Sequence, residues 1–425
     1  MAGRTVIVIG ALLCACTGTE TRLPTDTPPD TTGNGGVQRA TLTVRVTTAA
    51  PDTAIVRALG WTAAALPGAQ VILRRGGSSL IDTALADAGG VAVFSGILPG
   101  QYTVSALRLL SGGERNGLDP ADQDVNAFGG GADLTVTAPT TSSTMVAAAG
   151  RRGSLVISEI WPAKPFQPSG SIYYFGDFIE LYNNSDTTVR LAGKLFLQAM
   201  GGWYDNPQFP CAEYDPFAGD SLGLWARYVW RFPPNTRALG PGETAVIATD
   251  ALDHTALAQG VFDLSFSDAE FRGGSDADNP SVPDMLSVGP NDGNNWTQGH
   301  GYYLIQVREV IAIADDVDLT ALPRMTYATS TTSNDYIRIP ASQVLDVLFS
   351  HVTGLIPPAY PPCRVAVHPS LDRQMLNILP SLDPEDRGVA RPVIYTQPDG
   401  QKVLLRTRSS ARDFVLAAPS PFSIP

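Results

Sequence analysis

From Arg39 to about Gly150 the apolar residues recur at every second position, the spacing that gives a β-strand one buried and one exposed face. Leu42, Val44 and Val46 share one side, with Thr43, Arg45 and Thr47 on the other. Ala69, Val71 and Leu73 repeat the pattern in the segment 66–74. The turns Asp87-Ala88-Gly89-Gly90 and Pro99-Gly100 each feed a further strand, and Leu134-Thr135-Val136-Thr137 closes the set. The chain holds 41 Gly and 34 Pro, well above average usage, which suits many short strands joined by turns. Its 425 residues are enough for two or three domains.

The first residues read as an export leader. Arg4 supplies a positive charge, and the apolar stretch 5–13 is shorter than the roughly 20 residues that span a bilayer. Leu13-Cys14-Ala15-Cys16 follows, with Leu at −3, a small residue at −1 and Cys at +1. This resembles the lipobox of bacterial lipoproteins and implies cleavage after residue 15 and diacylglyceryl transfer to the Cys16 thiol. The competing register ending at Cys14 places the bulky Leu13 at −1, so Cys16 is preferred. Residues 16–38 are rich in Thr, Pro, Asp and Gly and cannot bury enough surface to offset their ordering entropy, so they read as a tether. Thr17 rather than Asp after the Cys permits, by the sorting pattern of such proteins, an outer-membrane location.

The pieces P-G-A-x-V-x-L at 67–73, D-x-x-G-x-x-x-F at 87–94 and L-P-G-x-Y-x-V at 98–104 stand in order. They resemble transthyretin-like sandwiches related to the carboxypeptidase regulatory domain, which implies a seven-stranded spacer or binding module over 39–149. The segment 52–65, with Trp61, is an insertion into that pattern. A second series follows: I-S-E-I at 157–160, F-I-E-L-Y-N at 178–183, V-x-L-x-G at 189–193 and L-x-P-G-E-x-x-V-I-A at 239–248. It resembles the lamin-tail family of immunoglobulin-like sandwiches. The whole arrangement, with Asp253-His254 and the end motif running from Thr407 to Asp413-Phe414, resembles bacterial surface lipoproteins grouped only as a domain of unknown function. The expected fold is mostly β: two sandwiches in tandem, the second spanning 150–425 with a few short helices and an aromatic-rich insertion at about 196–235.

Chemistry is sparse. Glu159 and Glu180 sit in the strand motifs and form a tempting acid–base pair, but the resemblance favours a structural role for them and for Asn183, His254 and Asp413. None of the four His lies three or four residues from another, which excludes a local zinc pair. There is no G-x-S-x-G elbow, P-loop, dinucleotide fingerprint or mature C-x-x-C, and no cofactor is expected. Asp119, Asp122 and Asp124 are a weak calcium candidate that reads better as a solvated acidic loop. Once Cys14 leaves with the leader and Cys16 takes lipid, Cys211 and Cys363 remain, either as a disulfide or as two separate thiols. In the insertion, Trp203, Tyr204, Asp205 and Tyr214 are candidate ligand-binding residues, while Trp225, Tyr228 and Trp230 read as strand core.

A net charge of −12 disfavours nucleic acid as a partner, because phosphate recognition needs a basic surface. The expected function is a non-enzymatic, membrane-anchored lipoprotein that binds or scaffolds an envelope or extracellular partner, such as an outer-membrane transporter. The alternatives are carbohydrate binding through the aromatics around Trp203 and, more weakly, an envelope hydrolase using Glu159 and Glu180.

Overall fold

The computed structural model describes residues 38–62, 64–75, 79–119, 122, 125–150, 155–162, 168–170, 173, 175–199, 217, 219–258, 261–271, 279–291, 309–328, 333–352, 367–378, 388–397 and 400–424. The first seven strands are β1 (Ala40–Thr48), β2 (Gln70–Arg75), β3 (Ser79–Leu85), β4 (Val91–Ile97), β5 (Gly100–Leu109), β6 (Ala127–Val136) and β7 (Thr140–Gly150). They form one sheet in the order β3-β2-β5-β6-β7-β1-β4. The sheet folds on itself at β6 and β7. These strands pair only where Ala127, Phe128 and Gly129 meet Gly150, Ala149 and Ala148. β7 then pairs parallel with β1 from Thr41 and Thr140 to Thr48 and Ala147. Gly130 permits the crossing: a Cβ there would lie 2.3 Å from the Val146 carbonyl oxygen. Leu42, Val44 and Val46 meet Val71, Leu73, Val104 and Phe128 in the core between the two leaves, as the alternation requires. The insertion at 52–65 contributes the helix α1 (Thr53–Ala58), whose Ile55 and Val56 close one end of that core.

The second sandwich packs two larger sheets. One has the order β15-β14-β9-β8-β22-β25, from β8 (Leu155–Trp161), β9 (Phe178–Asn183), β14 (Thr244–Ala248), β15 (Ala269–Glu270), β22 (Gly388–Ala390) and β25 (Val415–Ala417). The other runs β18-β19-β12-β11-β17-β20-β21, with β16 (Leu286–Ser287) on β12. Its strands are β11 (Leu195–Ala199), β12 (Gly223–Arg231), β17 (Glu309–Ala314), β18 (Arg324–Ala328), β19 (Ser333–Pro340), β20 (Val344–Val352) and β21 (Leu376–Ile378). Ile157, Ile179 and Leu181 meet Phe196, Trp230, Ile311 and Leu348 between the sheets. The outer face of the larger sheet is also covered: Leu197, Val229, Val310 and Ile337 lie under Leu319 and Val367. Burial on both faces explains why β17 reads Glu-Val-Ile-Ala-Ile-Ala without alternation. The stretch 196–235 is therefore not wholly an insertion, because most of β11 and all of β12 fall inside it as paired strands of this sheet. Phe196, Phe217, Trp225, Trp230 and Phe232 are all buried there.

A short hairpin, β23 (Val393–Thr396) with β24 (Lys402–Leu404), joins the two sandwiches. Ile394, Tyr395, Val403 and Leu405 pack on Ile72, Leu107 and Ala127 of the first sandwich. Gly129 is open to Ile394, whose Cδ1 would stand 2.4 Å from a Cβ at that position. Tyr395 donates its hydroxyl to Gln70 at 2.9 Å. On its other side the hairpin is held by Asn184, whose amide oxygen accepts from the Leu404 N–H at 2.9 Å and whose amide nitrogen donates to the Leu404 carbonyl at 3.1 Å. Across the same junction Arg412 forms a two-pronged pair with Asp52, at 3.1 and 3.0 Å.

Arg391 lies one residue past β22, fully enclosed. Its guanidinium donates to the Ile157 and Leu405 carbonyls at 2.7 and 2.8 Å and to Asp346 at 2.6 Å. It also meets Asp413 at 3.0 Å and stacks on Phe414 at 4.3 Å. One side chain thus ties β8, β20, the hairpin and the short helix α3 (Ser410–Asp413) together. Removing one member of such a buried pair strands the opposite charges. Arg391→Met should lower stability by about 3–5 kcal/mol, read as a shift of the urea midpoint; a change below about 1 kcal/mol would contradict this role.

Candidate functional site

The carboxylate pair singled out by the strand motifs is brought together. Glu159 of β8 faces Glu180 of β9, and a bulge at Ser158 places both Ser158 and Glu159 opposite Glu180. Both carboxylates are completely buried. Ser158 donates its hydroxyl to one oxygen of Glu180 at 3.0 Å, and the other oxygen, Oε2, has no hydrogen-bond partner. Glu159 is held by a residue that the motifs did not indicate: Ser420 donates its backbone N–H at 2.9 Å and its hydroxyl at 3.1 Å. The segment around Ser420 lies over the pair as a strap. The Ser423 N–H returns to the Ser420 carbonyl at 3.2 Å, with Pro421 and a left-handed Phe422 (φ 67°) between them. Lys402 ties the end of the strap at the Ile424 carbonyl, 2.5 Å away. The Pro-rich composition of 419–421 was the only trace of this strap in the sequence.

Burial governs the electrostatics. It pushes Glu159 up to about 7 against the two bonds from Ser420. It pushes Glu180 up to about 8, with the charge of Glu159 adding to the effect. The pair therefore retains protons near neutrality. An acid–base pair with such values has the proton affinity for catalysis, but catalysis also requires a substrate within hydrogen-bond reach. Here the strap occupies that side.

The other motif residues are engaged in structure. His254 is fully buried; its Nδ1 accepts from the Tyr173 hydroxyl at 2.5 Å and its Nε2–H donates to the Asp250 carbonyl at 2.8 Å. Burial holds that imidazole below its ordinary range, in the neutral form. Asn183 donates to the carbonyls of Thr187, Leu239 and Gly240 and accepts from Ser185, tying the turn after β9 to the Pro-Gly-Glu turn. Asp413 accepts the Thr407 N–H and hydroxyl, both at 2.7 Å, and faces Arg391. Asp119 is exposed, and Asp122 is ion-paired with Arg373 of the second sandwich at 2.8 Å. Among the described residues no group of three or more potential metal ligands forms. Cys16, Asp124, Trp203, Tyr204, Asp205, Tyr214, Cys211 and Cys363 lie outside the described residues.

The raised carboxylates have a definite pH signature. In the unfolded chain Glu180 titrates near 4.5, and in the folded chain near 8. The native state thus binds more protons across that window, and stability falls as pH rises from about 4.5 to about 8. Glu180→Gln keeps an acceptor for Ser158 and removes the charge. It should leave stability near pH 4 almost unchanged and raise it by on the order of 3 kcal/mol at pH 9. Denaturant melts at both pH values check this, and equal effects at the two would contradict it.

No family model matches the chain, and no curated protein matches it. Among solved structures, a DUF4876 family protein from Bacteroides thetaiotaomicron is similar over 91% of this chain and 98% of its own, with a TM-score of 0.52 and 18% identity. A DUF3823 family protein from Parabacteroides merdae covers 46% of this chain and 92% of its own at 10% identity and a TM-score of 0.16. The major pilin SpaD from Corynebacterium diphtheriae covers 50% of this chain and 51% of its own at 11% identity and a TM-score of 0.21. The likeness to the first is one of fold alone; the others carry no argument.

Proposed function

We propose that the chain is a non-enzymatic lipoprotein, anchored through Cys16, that binds or scaffolds another component of the cell envelope. One observation carries the reading: each acid–base group that the sequence offered within the described residues is consumed by the fold. Glu159 is bonded to Ser420 and Glu180 to Ser158, His254 has both ring nitrogens occupied, and Asp413 faces Arg391. What remains is a pair of sandwiches locked together by a hairpin, preceded by a Thr/Pro tether and a leader ending at a Cys. A rigid body on a flexible tether is suited to presentation and binding. A doubly or triply acylated Cys would hold it stably, where a single chain is marginal.

Metabolic labelling with a palmitate analogue tests the anchor. The wild type should incorporate label and fractionate with membranes, and Cys16→Ala should lose both. Label retained by Cys16→Ala and lost by Cys14→Ala would move the anchor. Gentle detergent extraction and affinity capture test the scaffold. A stoichiometric envelope partner is expected, and repeated recovery of this protein alone would overturn that half of the reading.

A further inference from the structure

The strap over the carboxylate pair is a single segment of chain. Glu159 and Glu180 beneath it are fully buried, while Phe422 and Ser423 of the strap itself are exposed. The firmly paired part of the chain stops just short of it. β25 pairs with β22 as far as Ala417, and Gly388 admits that carbonyl closely, since a Cβ there would lie 2.9 Å from its oxygen. Pro419 then has no N–H with which to extend the ladder. Beyond Pro419 the polar anchors of the strap are mostly the two acids. Ser420 bonds Glu159 twice, and the Phe422 and Ser423 N–H groups face Glu180. The rest of the hold comes from the Lys402 tie at the Ile424 carbonyl and from Ile424 packing on Val156, Tyr182 and Leu404.

Among the described residues no cation is paired with either carboxylate. On β9, Tyr182 shares the face of Glu180 and donates its hydroxyl to the Lys402 carbonyl at 2.6 Å. β14 brings Val246 opposite Glu180, with Thr244 and Ala248 on either side. β22 brings Ala390 opposite Glu159, and the next residue, Arg391, is turned to the other face, toward Asp346 and Asp413. The strap has no ionisable side chain. Lys402 meets only its far end, and Arg237 and Glu243 beyond it pair with each other at 3.1 Å. Two ionised carboxylates would thus stand opposed on neighbouring strands, under cover, with nothing between them but like charge.

The strap is the cover that yields most cheaply. Phe422 holds φ 67°, a left-handed conformation that is costly for a bulky side chain, and lifting the strap releases that strain. Proton linkage sets the direction. Under the strap burial raises Glu159 to about 7 and Glu180 to about 8, whereas a solvated glutamate titrates near 4.5. The closed state therefore binds protons that the open state has released. Its advantage is complete below about 4.5 and is lost as pH rises through about 7 to about 8.

We propose that residues 420–424 are a proton-linked latch, closed over Glu159 and Glu180 while the pair is protonated and lifted about Pro419 when both acids ionise. Phe422, Ser423 and Ile424 form one wall of a cleft of about 560 Å³, completed by the turns at 242–244 and 400–402. Lifting that wall joins the cleft to the carboxylates beneath. The molecule then presents a covered, neutral face in acid and an open, anionic groove in mild alkali. The latch depends on neither the lipid anchor nor an envelope partner.

Amide hydrogen exchange of the full chain at about pH 5 and about pH 9, corrected for the intrinsic exchange rate at each, tests it. Protection of the strap amides should fall by at least about tenfold at the higher pH, while β17 at the centre of the larger sheet keeps its protection. Glu159→Gln/Glu180→Gln keeps an acceptor at each position and removes both charges, so its strap should stay protected at both pH values. Glu180→Gln alone should leave only the smaller response of Glu159, and it stands in if the double variant fails to fold. Equal strap protection at the two pH values overturns the latch. So does loss of protection in the strap and β17 together, which is unfolding of the body, or a strap that still opens in the double variant.

Discussion

The structure depends on one buried cation. Arg391 is enclosed between the two sheets of the second sandwich, and its guanidinium is divided among two carbonyls, two carboxylates and an aromatic face. Burying an arginine is costly unless every donor is used. Here the arrangement recruits partners from segments far apart in sequence, so the charge can be satisfied only when β8, β20, the β23–β24 hairpin and α3 are all in place. Hydrophobic burial drives those elements together without specifying a single arrangement. Arg391 adds the directional requirement.

The same economy operates at the carboxylate pair, with the opposite sign. Two acids on neighbouring strands are roofed by a strap whose donors do not offset their burial. The pair resolves the shortage by keeping protons. Arg391 is stable as a charge because its neighbours are fixed acceptors. Glu180 is stable as an acid because burial outweighs what the Ser158 hydroxyl and the strap N–H groups of Phe422 and Ser423 offer its charged form.

How much of this was legible in the sequence follows from where the partners lie. Leu42, Val44, Val46, Val71 and Leu73 could be read directly, since their partners belong to the same sandwich and obey one alternation. Ile72 breaks that alternation. It is buried on the opposite face because the hairpin at 393–404 covers it, and nothing near residue 72 signals this. Glu159 and Glu180 were legible as a pair, but their roof at Ser420 was not, because it comes from 261 residues downstream. Asp413 was legible through the end motif, and the motif has a physical basis: Thr407 bonds Asp413, and Phe414 backs Arg391. Arg391 itself gave one signal that went unread, a lone cation in the apolar run Gly-Val-Ala-Arg-Pro-Val-Ile-Tyr.

The hairpin also sets a schedule. The first sandwich is complete by residue 150, yet Ile72, Leu107 and Ala127 stay uncovered until the hairpin arrives, and the Arg74 guanidinium must wait for a carbonyl 322 residues later. At the roughly 5–20 residues per second at which chains are made, that interval is on the order of half a minute. Throughout it the leading sandwich carries an open apolar face beside an unfinished neighbour. A nascent or truncated chain is then an adhesive particle, and only the last tenth of the polypeptide closes that face. Any quality-control step during synthesis would find its most informative cue there, in whether residues 393–405 have reached the surface of the leading sandwich.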